Sequence, residues 1–266
     1  MKDWQFTGPN GVTTAVELPH TWNARDGQDG GNDYWRGCCT YCTCFAAPVY
    51  DPAQQQVWLQ FEGVNASAAV LLNGQQLCTH DGGYSTFRAE VTELLQAENQ
   101  LTVRVDNSVN DRVYPQKADF TFYGGIYRDV SLLVVNKNHI ALGHFGDTGV
   151  KITPALQENS ADIRVETLVE GSGTVTVELL DAEGRTVAKG EGENASLHLD
   201  APHLWNGVKD PYLYTCVVRL LQDGQPVDEV TTRVGLRSFS VDAMCAACPS
   251  SCSPSAPARR KARRPA

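Results

Sequence analysis

The close spacing of short apolar segments constrains this chain more than any other feature. Stretches that alternate apolar and polar side chains recur roughly every ten residues, and Gly, Asn and Asp separate them. A period of two is typical of strands with one buried face. No long segment shows the 3.6-residue period of an amphipathic helix, and residues 90–98 suggest at most a short helical turn. The pattern therefore predicts an all-β protein.

Two series of strands are predicted. The first comprises residues 57–61, 69–72, 75–78, 101–105 and 129–135. The second comprises residues 162–168, 174–180, 186–189, 196–199, 212–221 and 226–234. Asn73 and Gly74 tolerate the positive φ angles of a type I′ turn, so they predict a hairpin. The polar residues 136–138 separate the series. We expect two β-sandwich domains, residues 1–135 and 136–242, each of ordinary domain size.

Residues 243–266 differ from the rest of the chain in composition. They contain only Ala, Cys, Pro, Ser, Arg, Lys and one Met, and we predict a disordered tail because they cannot form an apolar core. The tail holds five of the 22 basic residues and none of the 31 acidic ones, which leaves residues 1–242 with 17 basic and 31 acidic residues, a net charge of about −14. A region with this much negative charge repels nucleic acid and anionic membranes, so we predict neither as a partner.

Four cysteines lie within seven residues, at Cys38, Cys39, Cys42 and Cys44. On a strand, alternation places Cys42 and Cys44 on one face and Cys39 on the other. One strand cannot surround a zinc ion with four ligands, so we predict partly buried thiols and no metal; a structural zinc site is the alternative. The first residues lack the apolar run of a signal peptide, and nine cysteines then favour reduced thiols in the cytoplasm.

No complete catalytic constellation can be found from the residues alone. Glycoside hydrolysis needs two suitably spaced carboxylates, and the abundance of acidic residues does not show such an arrangement. The sequence has no Gly-rich phosphate loop, His-x-Glu metal motif or Gly-x-Ser-x-Gly elbow, so no cofactor is predicted. Aromatic and amide residues cluster at residues 18–23 and 119–130. They suit contacts with sugars, or they fill a core or an interface.

At this point several segments resemble a known family in order and spacing. They read ELPHTWN, DGQDGGNDYWRG, LQFEGVNASAAVLLNGQQL, NQLTVRVDNS, DFTFYGGIYRDVSLLV and VGLRSFSVD. This set resembles glycoside hydrolase family 2, the β-galactosidase and β-glucuronidase group. The resemblance covers residues 1–242. It implies an N-terminal, galactose-binding-like jelly roll followed by an immunoglobulin-like sandwich. One departure is the cysteine-containing strand after Gly37, where Tyr41 and Phe45 keep the alternation.

The resemblance also implies what the chain lacks. In the family, a (β/α)8 barrel of about 250 residues follows the second module and carries both catalytic glutamates. Only 24 residues follow Asp242, so we predict no catalytic residue here. In related β-galactosidases the jelly roll lends side chains to the rim of the sugar pocket. The matching positions are Asp119, whose carboxylate would accept hydrogen bonds from sugar hydroxyls, and Asn23.

The leading hypothesis is the non-catalytic N-terminal portion of a β-galactosidase-like glycoside hydrolase, truncated before its barrel. The resemblance implies that the intact enzyme hydrolyses terminal β-glycosides with retention, with β-galactosides favoured. The isolated chain is expected to be catalytically inactive. We expect it to bind carbohydrate only when a catalytic barrel is also present. The alternatives are a free-standing carbohydrate-binding protein and a structural module that assembles into a homo-oligomer.

Overall fold

The computed structural model describes residues 1–26, 35–114 and 121–238. The predicted tail at 243–266 and the predicted sugar contact Asp119 lie outside these residues. Within the described part the only helical element is a three-residue 3-10 turn, Thr92–Leu94. It falls inside the segment for which a short turn is predicted, and the all-β prediction is confirmed. No helix among the described residues is long and apolar enough to cross a membrane.

The chain divides into two compact units, Met1–Thr148 and Gly149–Ala266. The described residues of the first unit form twelve strands: β1 (Asp3–Thr7), β2 (Thr13–Glu17), β3 (Cys38–Ala46), β4 (Gln55–Phe61), β5 (Val64–Asn65), β6 (Ser67–Leu72), β7 (Gln75–Asp81), β8 (Phe87–Glu90), β9 (Glu98–Asp106), β10 (Gly125–Ile126), β11 (Val130–Asn136) and β12 (His139–Ile140).

Two sheets of the first unit share one apolar core. The larger has the order β2-β1-β3-β9-β6-β7 and the smaller β11-β4-β8, while β10 and β5 form a short pair. Alternate residues of β6 and β9 are buried. The core joins side chains from both sheets, among them Tyr41 of β3, Leu59 and Phe61 of β4 and Val103 of β9. The β6–β7 hairpin is confirmed, since Asn73 and Gly74 have φ angles of 52° and 81°.

The outer face of the smaller sheet is also covered. Both neighbours of Trp58 on β4, Val57 and Leu59, point into the core, so the Trp58 side chain lies on the opposite face of the sheet. Trp58 is nevertheless buried. Its ring meets His139 edge to face, with 6.2 Å between the ring centroids. Arg88 of β8 donates hydrogen bonds to the carbonyl oxygens of Leu142 and Asp147. Residues 137–148 therefore pack on the first unit, and the division lies after residue 148 instead of at the predicted boundary after residue 135.

Up to residue 238, the second unit forms eight strands: β13 (Val150–Leu156), β14 (Ser160–Thr167), β15 (Val169–Glu170), β16 (Thr174–Leu180), β17 (Thr186–Glu191), β18 (Asn194–Asp200), β19 (Tyr214–Gln222) and β20 (Gln225–Val234). Seven of them form sheets of order β13-β14-β18 and β17-β16-β19-β20, with β15 outside both sheets. Side chains along β14, β16 and β18 alternate between buried and accessible, which is the period-two pattern predicted from the sequence.

The faces predicted for the cysteine cluster are confirmed. Cys39 points into the core of the first unit and is buried, whereas Cys38 and Cys44 are exposed and Cys42 is half-buried. Burial is the main cause that raises the pKa of Cys39 to about 12. Among the described residues, no group of three or more His, Cys, Asp and Glu side chains has the geometry of a metal site.

Candidate functional site

Asn23, one of the two predicted sugar contacts, lies fully buried in the loop after β2. Its side-chain nitrogen donates to a carboxylate oxygen of Asp26 at 2.7 Å and to the carbonyl oxygen of Trp35 at 2.8 Å. Its side-chain oxygen accepts from the backbone N–H of Gly124 at 2.8 Å and from the amide of Asn107 at 3.1 Å. Both donors and both acceptor positions are therefore used within the chain.

Asn107 follows β9, is also fully buried, and ties two segments, at residues 36–37 and at Phe122, to this loop. Its side-chain oxygen accepts from the N–H of Gly37 at 2.8 Å, and its nitrogen donates to the carbonyl oxygen of Phe122 at 2.9 Å. Its carbonyl oxygen accepts a hydrogen bond from Arg36. We call Asn23 and Asn107 the amide pair. Because buried polar groups are costly unless hydrogen-bonded, this pair fixes the loops around it.

The two glycines of the TFYGGIYR segment allow the loops to approach closely. A Cβ on Gly124 would lie 2.0 Å from the ring of Trp22. Gly125 has a φ of +139°, and its Cβ would lie 2.4 Å from the carbonyl oxygen of His20. Only residues without a side chain fit here. The N–H of His20 donates to the carbonyl oxygen of Ile126, so the LPHTWN and TFYGGIYR segments lie side by side.

A cluster of rings lies beneath this contact. His20 Nδ1 and the Tyr41 hydroxyl are 2.7 Å apart, and the Phe6 ring lies 4.9 Å from both rings. Burial lowers the pKa of His20 and raises the pKa of Tyr41 well above its usual range. Trp22 is half-buried and stacks on Phe6, with centroids 6.0 Å apart. For Trp22, core packing is therefore the better of the two interpretations that the sequence left open.

Other aromatic residues of this region remain accessible. Asn65 donates to the carbonyl oxygen of Tyr123 at 2.6 Å, and the Tyr123 ring is 42% exposed. Phe122 lies under the guanidinium group of Arg36, which is 4.9 Å from the ring centroid. The Tyr127 hydroxyl donates to the carbonyl oxygen of Gly83. These contacts fix the aromatic residues of the TFYGGIYR segment, and aromatic rings suit the apolar faces of sugars.

The arrangement of buried amides and aromatic rings can position a ligand. Asp26 is the carboxylate next to Asn23, and its oxygen accepts hydrogen bonds from Asn23 and from the N–H of Trp35. Acid–base cleavage of a glycoside needs a second carboxylate about 5 to 10 Å away, across an open sugar site. Asn23 has its polar atoms in internal hydrogen bonds, so its direct contact with sugar stays a prediction, as does that of Asp119.

Sequence reasoning missed Asn107, Asn65 and the steric role of the two glycines. Asn107 stands directly after a strictly alternating strand, in the run NQLTVRVDNS. An amide at a strand end is a common capping feature, so the pattern gave no reason to single it out. The Gly-Gly pair was a stronger signal, because adjacent glycines between aromatic residues indicate a close backbone approach.

Two family models match the chain. "Glycosyl hydrolase 2 galactose-binding domain-like" matches residues 31–155, and "Glycosyl hydrolases family 2" matches residues 144–237. A β-glucuronidase of Bacteroides fragilis is 34% identical, over 90% of this chain and 37% of that protein. A β-galactosidase of Bacteroides ovatus is 32% identical, over 91% of this chain and 31% of that protein. The crystal structure of an FMN-binding β-glucuronidase from Faecalibacterium prausnitzii superposes with a TM-score of 0.84 at 35% identity, over 90% of this chain and 39% of that one.

The described residues form two all-β units of paired sheets, and in the first unit buried amides fix loops that carry aromatic residues. The order of the two family matches follows the order of the two units. The chain belongs to glycosyl hydrolase family 2, as the resemblance predicted. It spans only about a third of the length of the curated relatives it matches, and it corresponds to the N-terminal portion of β-glucuronidase-like and β-galactosidase-like enzymes.

Proposed function

We propose that this chain supplies the non-catalytic, sugar-facing portion of a glycosidase that hydrolyses terminal β-glycosides with retention. In this proposal the first unit is the jelly roll of the family and the second unit its immunoglobulin-like module. Matched relatives are named β-glucuronidase and β-galactosidase, so the sugar is one of these two glycosides. We retain the predicted preference for β-galactosides, so a β-galactoside is the first substrate to be tested.

One observation carries the proposal. The described residues contain strands, loops and one three-residue helical turn, whereas a (β/α)8 barrel needs eight helices around eight parallel strands. Neighbouring strands in the main sheets of the two units run antiparallel. The described part therefore has no barrel edge on which an acid–base pair of carboxylates could be placed. This supports a chain that positions sugar without cleaving it.

Asn23 would act as a positioning residue in this proposal. Its hydrogen bonds to Asp26, Trp35, Gly124 and Asn107 hold the loops that flank the sequence position of Asp119. Asp119 would contact sugar hydroxyls through its carboxylate, as the family resemblance implies. A cytoplasmic location and the lack of nucleic-acid and membrane partners stay predictions from the sequence.

The test is an activity assay of the purified chain with 4-nitrophenyl β-galactoside and 4-nitrophenyl β-glucuronide. We expect no release of 4-nitrophenol above the buffer rate with either substrate. The matched control is Asp119→Ala, which should behave identically if the chain holds no catalytic site. Turnover by the unaltered chain that Asp119→Ala abolishes would show that residues 1–266 carry a complete active site and would overturn the proposal.

A further inference from the structure

One groove of the first unit lies on the outer face of the six-stranded sheet, and two of its lining residues, Asp106 and Ser108, flank Asn107 of the amide pair in sequence. Its volume is about 720 Å³, within the range of sites that hold small ligands. Its floor is formed by outward-facing residues of three adjacent strands. Ser67 of β6 lies opposite Asp81 of β7 and Asp106 of β9, and Ala69 of β6 lies opposite Arg104 of β9. Because the side chain of Ala69 is small, the floor of the groove is lowest at this position.

The loop after β9 forms one wall of this groove, and Asp81 fastens it to the floor. Asn110 donates to Ser67 Oγ and to Asp81 Oδ1, each at 2.9 Å. Arg112 binds Asp81 Oδ2 through Nε at 2.9 Å and through its terminal nitrogen at 2.7 Å. The hydrogen bond from Ser67, with the nearby Arg112, lowers the pKa of Asp81. Floor and wall are thus held in place before any ligand arrives.

The polar groups of the groove that do not bind Asp81 determine which ligand the groove suits. Arg104 is exposed and has no carboxylate partner among the described residues. Asp106 accepts a hydrogen bond from Ser108 through one oxygen only, and Asp111 also lines the groove. Donors and acceptors therefore alternate across the opening. Because Asp81 and Arg112 neutralise each other, two carboxylates remain against one guanidinium group, and an anionic ligand is disfavoured.

Apolar surface is present beside these groups. Val109, in the wall, is 74% exposed, and Ala69 is accessible in the floor. A neutral sugar offers both kinds of contact, since its hydroxyl groups pair with carboxylates and guanidinium groups while its C–H faces lie on small apolar side chains. We propose that this groove binds a short neutral oligosaccharide, with Arg104 and Asp106 as the principal hydrogen-bonding residues.

Calorimetric titration of the chain with β-1,4-galactotriose and with cellotriose tests the proposal, with D-glucuronate and inorganic phosphate as anionic comparisons. We expect one of the trisaccharides to bind with a dissociation constant of about 1 mM or lower. Arg104→Ala should weaken this binding about tenfold. The matched control is Gln100→Ala, on the same strand and the same face, because Gln100 lines a different groove.

Each outcome decides the matter. Saturable binding that Arg104→Ala weakens and Gln100→Ala leaves unchanged supports the site. Failure of both trisaccharides to saturate the folded chain, tighter binding of phosphate or glucuronate, or equal affinity of Arg104→Ala and the unaltered chain would each overturn it. The unfolding midpoint of both variants is measured first, and no change is expected since both side chains are exposed.

Two thiols on β3 provide an independent readout on the unaltered chain. Cys38 is exposed at one end of the proposed groove, and Cys44 is exposed in the neighbouring groove that Gln100 lines. Bound trisaccharide should slow alkylation of Cys38 by iodoacetamide and leave the rate at Cys44 unchanged, as followed by tandem mass spectrometry. Equal rates at Cys38 with and without saturating trisaccharide would place the ligand elsewhere.

Discussion

The two units bury polar groups in different ways. Four buried asparagines are found among the described residues, and all lie in the first unit: Asn23, Asn65, Asn99 and Asn107. In the described part of the second unit, Thr167 and Asp181 are the only buried polar residues, and the Asp181 carboxylate accepts hydrogen bonds from the N–H groups of residues 183 and 185 in its own turn. Buried amides in the first unit join segments distant in sequence. The first unit thus uses internal hydrogen bonds to set loop geometry, whereas the second relies on regular strand alternation.

The largest expected effect concerns glycine in the two units. Gly125→Ala places a Cβ 2.4 Å from a backbone oxygen at a φ of +139°, so we expect the first unit to lose about 4 kcal/mol of stability. Gly184→Ala, in a turn of the second unit with nothing within 4 Å, should cost only about 1 kcal/mol. Urea unfolding followed by tryptophan fluorescence suits this comparison, since four of the five tryptophans lie in the first unit.

Equal losses from the two glycine substitutions would contradict the close approach of the LPHTWN and TFYGGIYR segments. The second unit needs its own probe, for which hydrogen exchange of strand amides is suitable. We expect Gly125→Ala to raise exchange rates in β5 and β10 and to leave those in β16 and β19 unchanged.

Removal of an internal amide is the next largest change. Asn107→Ala would leave the N–H of Gly37 and the carbonyl oxygen of Phe122 without their partner and would remove one of the two donors to the Asn23 side-chain oxygen, so we expect a loss of about 3 kcal/mol. Asn194→Ala, at the exposed start of β18, should change stability by less than about 0.5 kcal/mol. A small effect of Asn107→Ala in the same urea experiment would mean that water replaces the hydrogen bonds of the amide. The loop geometry would then not depend on Asn107.

Sequence reasoning succeeded where a single period decides the structure. Strands such as β9 and β16 alternate clearly, and the Asn73-Gly74 turn has one favoured geometry. It missed β13, because Pro154 argues against a central strand; β13 is an edge strand, where a missing N–H is tolerated. It also missed β1, although Trp4 and Phe6 alternate with polar residues there.

The candidate site was less predictable, for a physical reason. The partners of Asn23 lie up to 101 residues away in the chain, at Gly124. No local period encodes such a contact, so only the family resemblance pointed to Asn23. The division after residue 148 also depends on contacts between distant segments, because the packing of residues 137–148 involves Trp58 and Arg88. Contacts between distant segments follow from the fold, not from local composition.

Two arginines sharpen the comparison further. Arg88 of the first unit donates to Gln60 and to two backbone carbonyl oxygens, which are neutral acceptors, and burial lowers its pKa. Arg219 of the second unit pairs with the carboxylates of Glu178 and Glu229. We expect Arg88→Met to cost about 2 kcal/mol and Arg219→Met about 1 kcal/mol. Salt at about 1 M should reduce only the second cost, since only ion pairs are screened. Equal salt sensitivity would count against this difference.

The smallest expected effect is the opposite pH dependence of two histidines. Burial lowers the pKa of His20 below 6.5, so between that folded value and 6.5 the unfolded chain binds more protons than the native chain. Its contribution to stability is full above pH 6.5 and falls as the pH drops below it. His198 is the reverse case, because its hydrogen bond to Asp162 raises its pKa. That contribution is full below pH 6.5 and is lost as the pH rises through the folded pKa.

Unfolding midpoints between about pH 5.5 and 7.5 separate the two histidines, since most carboxylates titrate below this range. His20→Gln should reduce the loss of stability on acidification, while His80, whose pKa burial also lowers, keeps part of it. His198→Gln should remove the stability that the protonated imidazole of His198 adds to the second unit at low pH. A steeper acid loss in His20→Gln than in the unaltered chain would mean that the imidazole is charged in the native state. The hydroxyl of Tyr41 would then act as its hydrogen-bond acceptor, and the ring cluster beneath the amide pair would carry a positive charge.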